Sequence, residues 1–391
     1  MRPRIIISLG NFFLSLSAML VSYTLISYLS RFIPVTSIGL AIAAGGVLSL
    51  ILFLYFPRLV AQFGSQKLVL FLVLIEMLIL FAAAETINTL VSAFCVILII
   101  SMQPLLMYEL DLLLEATIGA GNEAGRARTF FLTGGNFGAL AAPLLIGSLL
   151  AKSDNYASVF LMAAGVLVPF IVLFVVRLLP KGDAPDRSHV RQTLEYLWHN
   201  HDLAAVTFGH LILYLFYIWA PLYVPVYLRV VLGIPWSTLG WIFSIMLVPY
   251  ILVEYPAGWI ADRILGDKKM MLIGFLLAGA ALATVGLLTS QSSPLSILLV
   301  LIATRIGSAL IESMTEGHFF RRVSEKDIVS VSVFRGVSPL ANILGPLMAG
   351  IILFFGSYQL LFLLTGGFII VAGAFSVSFV REFHPTRTRE S

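Results

Sequence analysis

The length of its unbroken apolar runs constrains this chain more than any other feature. Val91–Ile100 carries no charge, and Leu68–Phe81 carries one, Glu76. Such runs belong to segments near the ~20 residues that a helix needs to cross ~30 Å of hydrocarbon. Lipid offers no partner to backbone N–H and C=O groups, so a spanning chain is either helical or a closed barrel. Barrel strands alternate apolar and polar residues, and these runs do not. Composition agrees: of 391 residues 59% are hydrophobic and 11% charged, with a mean hydropathy of +1.00. A soluble domain carries about 25% charged residues. A soluble enzyme, a disordered tail and a nucleic-acid binder are excluded. An all-α polytopic membrane protein is expected.

Proline, glycine and charge punctuate the sequence into twelve spans, at about 5–30, 36–57, 67–84, 88–117, 127–150, 156–178, 203–228, 238–259, 270–289, 294–318, 328–354 and 357–380. The first is read as a permanent span, not a cleaved signal, because it is long and lacks a small-residue cleavage site. With both termini in the cytoplasm, nineteen of the 24 Lys and Arg fall on that side. Arg31, Lys152 and Arg229 fall outside, and Arg305 and Arg335 fall inside spans. This is the positive-inside pattern, and it also accounts for the pI near 9.2. Cys95 is the sole cysteine, so an internal disulfide and a cysteine metal cluster are excluded.

The longest polar stretch divides the chain into a first half (1–179), a central cytoplasmic loop (180–202), a second half (203–380) and a tail (381–391). In the loop, Val190, Leu194 and Leu197 fall at i, i+4 and i+7, which fits a short interfacial helix or a solvated linker. The halves repeat. Gly10-Asn11 and Tyr28-Leu29 return at an offset of 199 as Gly209-His210 and Tyr227-Leu228. Pro34 and Gly39 return at 201, Gly64 and Lys67 at 202, and Glu109, Phe131, Pro143 and Gly147 at 203, as Glu312, Phe334, Pro346 and Gly350. The creeping offset is read as one- or two-residue insertions in loops. Two like-oriented six-helix halves suit a carrier that rocks around a midplane site.

Residues Gly258 to Lys269 read GWIADRILGDKK. This resembles the signature G-x-x-x-D-R-x-G-R-R of the major facilitator superfamily, with one extra residue before the second glycine. The symmetric stretch, Pro57, Ala61, Gly64 and Lys67, is a worn copy without the acid. The resemblance spans the whole chain: twelve spans, two halves and the signature at both symmetric loops. It implies a cytoplasmic latch made by Gly258, Asp262, Arg263, Gly266, Lys268 and Lys269, with Asp262 beside Arg126 and Arg128 at the start of span five. In physical terms the glycine permits close helix approach, and the carboxylate suits a helix N-terminus. Glu254 shares the helix face of Gly258 and Asp262 and belongs to the same network. The bland alternative is that the basic residues only set topology.

Span five carries Gly134, Gly138, Ala142-Pro143 and Gly147, and span eleven carries Ala341, Gly345-Pro346 and Gly350. Small residues every fourth position let helices approach closely in lipid, and proline permits a bend. The pattern resembles the G-x-x-x-G-P motif of the family's antiporters, with Ala142 replacing a glycine. Plain packing explains it equally.

Ionisable residues inside spans are costly and are the functional candidates. Arg305 lies mid-span in span ten, one of the four spans that the resemblance places around the cavity. It is a candidate for an anionic substrate group or for holding a proton-carrying carboxylate. Glu312 shares its face, and Glu109 is the repeat mate of Glu312. Asp111 and Glu76 are further coupling candidates, although Glu76 in span three fits a hydrogen-bonded structural acid. Glu115, Glu316 and Arg335 are expected in an ion-pair gate toward the cytoplasmic end. Tyr214 and Tyr217 of span seven, with Asn11 of span one, would line an amphipathic cavity.

The expectation is a secondary carrier of a small solute, coupled to protons and leaning to export of amphipathic compounds. Uptake symport of a sugar, organic acid or similar solute, and a non-transporting receptor or scaffold, are the alternatives. There is no nucleotide-binding G-x-x-x-x-G-K-[ST] loop, and no histidine pattern beyond His199-x-His201, so neither ATP drive nor an enzyme is expected. No cofactor, metal or nucleic acid is expected. The partners would be the solute, protons and lipid, and the protein a monomer in the cell membrane.

Overall fold

The computed structural model of the chain describes residues 3–117, 124–176, 200–323 and 328–382. Every regular element among them is a helix: α1 (Pro3–Leu29), α2 (Val35–Phe63), α3 (Ser65–Glu85), α4 (Thr89–Glu115), α5 (Ala124–Leu149), α6 (Tyr156–Val176), α7 (His201–Val226), α8 (Trp236–Ile245), α9 (Val248–Ile260), α10 (Asp267–Val285), α11 (Pro294–Arg322), α12 (Ile328–Phe355) and α13 (Tyr358–Phe379). Ten of these carry windows long and apolar enough to cross a membrane. The other two spans are α2, with its apolar stretch Ser37–Phe53, and α8 with α9, whose stretch is Trp236–Tyr250. The chain is thus an all-α membrane protein of twelve spans.

The burial pattern fits a hydrocarbon solvent. On α3, Phe71, Leu74, Leu78 and Phe81 form an exposed stripe, while Val69, Val73, Glu76, Leu80 and Ala83 are buried. A water-soluble helix would carry charge on that outer stripe. Most of the central loop lies outside the described residues, including the expected interfacial helix.

Span eight is not the continuous helix expected at 238–259. It breaks after Ile245, where Pro249 in the first turn of α9 cannot donate to the preceding turn. Two π-helical turns also appear, Tyr227–Val231 continuing α7 and Ala261–Leu265 continuing α9. A π turn accommodates one residue more than an α turn. Both lie where the repeat offset grows, from 199 to 201 and from 201 to 202. One residue of the first insertion and the whole of the second thus fit inside helices, where the sequence led us to expect loops. The extra residue of the signature falls in the second, where the Gly266 N–H reaches the Ala261 carbonyl at 3.0 Å. Gly64 and Gly266, repeat mates, both have positive φ (79° and 77°), a backbone region that only glycine enters cheaply.

The chain forms two compact units. One comprises Met1–Arg187, Pro221–Ile245 and Asn342–Phe354. Within it α1 is central, packed on α5, α6 and α4, with α2 on α4, α3 on α4 and α6, and α8 on α5. Two glycine contacts in this unit obey the repeat. A Cβ on Gly240 would lie 2.7 Å from the Pro143 oxygen and 2.8 Å from Gly147 Cα. A Cβ on Gly39 would lie 2.6 Å from the Pro346 oxygen and 3.3 Å from Gly350 Cα. The same glycine meets the same Pro-x-x-x-Gly twice, once as α8 on α5 and once as α2 on α12. The second unit comprises Ser188–Ala220, Met246–Ala341 and Phe355–Ser391. Here α10 packs on α11 and α13, and α9 packs on α11.

Candidate functional site

In the second unit the polar residues of α11 recur at Arg305, Ser308, Glu312 and Thr315, spacings of three and four that put them on one helix face. Each meets a side chain from α7 or α9. Arg305 is buried, with its guanidinium 5.4 Å from the centroid of the Phe216 ring. An arginine over a ring face is an attractive cation–π arrangement and keeps the charge tolerable at depth. The Ser308 hydroxyl donates to the Arg305 carbonyl at 3.1 Å, so Tyr250 donates to Ser308 at 2.6 Å. Tyr217 donates to the Glu312 carboxylate at 2.6 Å.

One turn further on, the Thr315 hydroxyl donates to the Ile311 carbonyl at 2.8 Å. That leaves His210 Nδ1 as the donor across 3.1 Å to Thr315. The His210 ring stacks on Phe334 at 4.0 Å, and Phe334 stacks on Phe319 at 4.1 Å. Tyr214 lies edge-on to both His210 and Tyr217. Arg305, Glu312, Tyr214 and Tyr217 are therefore brought into one polar and aromatic stripe. Tyr250, Ser308 and Phe216 were missed as members of it. The signal for Ser308 was its i+3 spacing from Arg305.

In the first unit the named residues do not form one cluster. Asn11 donates to the Phe131 carbonyl at 2.9 Å and accepts from Ser15 at 3.3 Å. This is a packing role on α5, where Gly134 and Gly138 bring their backbone against α1 at Ser8 and Phe12. Glu76 accepts a hydrogen bond from Gln103, tying α3 to α4, as a structural acid would. Glu109 is fully buried. Its neighbours at i−4 and i+3, Leu105 and Leu112, pack with Phe56, Val60 and Leu68. The Ser65 hydroxyl of α3 stands beside its carboxyl, outside strict hydrogen-bond geometry. Asp111 is half-buried, and Glu115 and Glu316 are exposed.

Of the signature, Lys268 donates to the Ser378 and Val380 carbonyls at 3.2 and 2.9 Å, capping the end of α13. Arg263 lies 5.4 Å over Trp259, and Lys269 is exposed. Gly258 is not at a close helix approach: among the described residues nothing lies within 4 Å of a Cβ there. The side chains of Asp262, Glu254, Arg335, Arg126 and Arg128 lie outside what is described.

The most elaborate charge cluster escaped the sequence reading. His318 of α11 is buried between two carboxylates, its Nδ1 3.1 Å from Asp267 and its Nε2 3.3 Å from Asp202. Arg322 pairs with Asp202 at 2.8 Å, Arg321 pairs with Asp267, and the Arg381 backbone N–H donates to Asp202 at 2.6 Å. Both ring contacts are hydrogen bonds only when both nitrogens carry protons. The cluster fastens the starts of α7 and α10 to the end of α11 and to the segment after α13.

Fold and site together define a helical membrane protein of two six-helix repeats with a buried arginine and paired acid on its tenth span. The family model of the Major Facilitator Superfamily matches residues 206–391. No curated protein matches the sequence. Among solved structures, a variant of the nucleoside transporter NupG superposes with a TM-score of 0.78 at 15% identity, over 97% of this chain and 100% of that one. The peptide transporter POT bound to sulfate gives 0.75 at 15% identity, over 96% and 94%. A bacterial homolog of the human lysosomal transporter Spinster, inward-facing and occupied, gives 0.71 at 12% identity, over 98% of both. The second half of the chain thus matches that family model, and nearly the whole chain shares the fold of these solved transporters.

Proposed function

We propose that this protein is a secondary active transporter that carries a small solute across the cell membrane by alternating access, working as a monomer with both termini in the cytoplasm. The observation that carries this reading is the α11 stripe: Arg305, Ser308 and Glu312 inside the span, met by Phe216, Tyr217 and Tyr250. Charges at that depth are costly and are kept where they do something. The guanidinium supplies a fixed positive charge for an anionic group of the solute, and the aromatic rings supply apolar contact. An amphipathic solute matches that lining. Glu312 and the buried carboxyl of Glu109, its repeat mate, supply acids for coupling transport to protons. Export is preferred slightly over uptake on the resemblance of Gly138 and Ala142-Pro143 in span five to the antiporter motif. The signature at Asp262 to Lys269 serves as the cytoplasmic latch, with Glu254 and Arg335 in its network.

The test is purified protein in liposomes, with flux of a panel of amphipathic organic anions measured with and without an imposed pH gradient. Flux that follows the gradient supports coupling, and its direction separates export from uptake. Flux indifferent to the gradient removes proton coupling. A protein that moves nothing in the panel sinks the carrier reading and leaves the receptor or scaffold.

A further inference from the structure

Two of the three basic residues assigned to the outer loops converge on one acid. Arg229 donates to both Asp154 oxygens, from Nη2 at 2.8 and 2.9 Å and from Nε at 3.2 Å. Arg31 donates to the Asp154 backbone carbonyl and lies 4.4 Å over the Tyr156 ring. All four residues belong to the first compact unit, yet they come from different repeats. Arg31, Asp154 and Tyr156 are first-half residues flanking α1 and α6. Arg229 is a second-half residue, carried by the π turn that continues α7.

The repeat makes the pair informative. At the local offsets Arg229 corresponds to Ser30 and Asp154 to Ser357. Both serines serve their own helices: Ser30 donates to the Ser27 carbonyl, and Ser357 caps α13 by accepting from Leu360. A packing need common to the two symmetric crossings would put charge on both sides. The ion pair exists on one side only, at a place where the second half carries an insertion. Beneath it the helices meet through glycine and backbone, Gly240 on Pro143 and Gly147, with Ser244 donating to the Leu140 carbonyl at 2.8 Å. The close approach itself is backbone on backbone, and one ring pair, Tyr23 of α1 stacked on Phe243 of α8 at 5.2 Å, crosses beside it. Arg229 and Asp154 remain 25% and 33% exposed. Exposed pairs contribute little net stability because water replaces the partner readily. A planar fork on a carboxylate still fixes one geometry.

We infer that Arg229 and Asp154 form the outer latch of the transport cycle, an ion pair between the α7 end and the α5–α6 connection that must break each time the site opens outward. This rests on the carrier reading above and concerns the side opposite the signature.

The first experiment needs no substrate. In a Cys95→Ala background, Ser27→Cys places a reporter on a buried position of α1. Adding Arg229→Gln should speed its labelling by an impermeant maleimide about two- to fivefold, the shift that loss of one partly exposed ion pair supports. Unchanged labelling overturns the latch, whatever the solute. The second experiment bridges Asp154→Cys to Arg229→Cys with a thiol-specific crosslinker that reductant cleaves. The bridged protein should lose most of its flux in liposomes and regain it on reduction. Full flux while bridged overturns the latch. Unsubstituted protein that transports nothing in the panel overturns the carrier reading instead, and the labelling result then still decides the latch.

Discussion

Tyr217 of α7 donates its hydroxyl to the Glu312 carboxylate of α11 at 2.6 Å. The repeat gives this acid a mate in Glu109, whose neighbours are leucines. One carboxyl of the pair is thus held by a phenol and the other is not. A hydrogen bond to a charged group is worth about 1.5–3 kcal/mol, so Tyr217→Phe should lower thermal stability in detergent by an amount of that order. Under the proposed function it should also slow gradient-driven flux more than solute exchange at equal pH, because the substitution acts on the acid. Equal slowing of both would assign Tyr217 to the solute, not to coupling.

Arg305 bears on the solute itself. Arg305→Ala should abolish flux of anionic solutes while the protein still reaches the membrane and folds. Arg305→Lys keeps the charge but loses the planar face that lies over Phe216, so it should restore only part of the rate. Flux assays on the two variants, with expression followed by size-exclusion profile, check this. Near-normal transport by Arg305→Ala would move the centre of the site elsewhere.

How much of this was legible follows from where each signal lives. The twelve spans and the repeat were readable because apolar runs and recurring glycines are local patterns. Gly39 and Gly240 matched in sequence, and the structure gives them equivalent contacts on Pro346 and Pro143. The growing offset was readable as insertion but not as π-helix, since an extra residue looks the same in a loop or a helix until the backbone hydrogen bonds are known. The Asp202, Asp267 and His318 cluster was not legible. Asp202 was assigned to the loop and Asp267 was absorbed into the signature. His318 reaches them across 116 and 51 residues of chain. The one available hint was a histidine inside a span with two arginines in the turn after it. Gly258 differs the other way: the motif predicted close approach, and among the described residues nothing lies within 4 Å of a Cβ there.

That buried cluster carries the largest stability prediction. Removing one partner of a buried ion pair costs about 3–5 kcal/mol, because the remaining charge is left without compensation. Asp202→Asn and Asp267→Asn should each lower the thermal unfolding temperature clearly, and His318→Leu should do so through two orphaned carboxylates. Arg322→Gln, on the more exposed rim, should cost less. A melt series in detergent orders the four. If Arg322→Gln were the most damaging, the imidazole would not be the centre of the network.

Glycine substitutions separate close contact from mere motif membership. A methyl on Gly39 would stand 2.6 Å from the Pro346 oxygen, and one on Gly240 2.7 Å from the Pro143 oxygen. Backbone oxygens cannot swing aside as a side chain can, so each helix pair must separate by some tenths of an ångström. Overpacking of this kind costs about 1–3 kcal/mol. Because the two contacts are repeat mates, Gly39→Ala and Gly240→Ala should lose stability and flux to a similar extent. Gly258→Ala meets nothing within 4 Å among the described residues and should be tolerated, although it lies in the signature. Thermal melts and liposome flux on the three variants give the comparison. A damaging Gly258→Ala beside a silent Gly240→Ala would show that the signature glycine is needed in a conformation other than this one, where α9 does meet a neighbour.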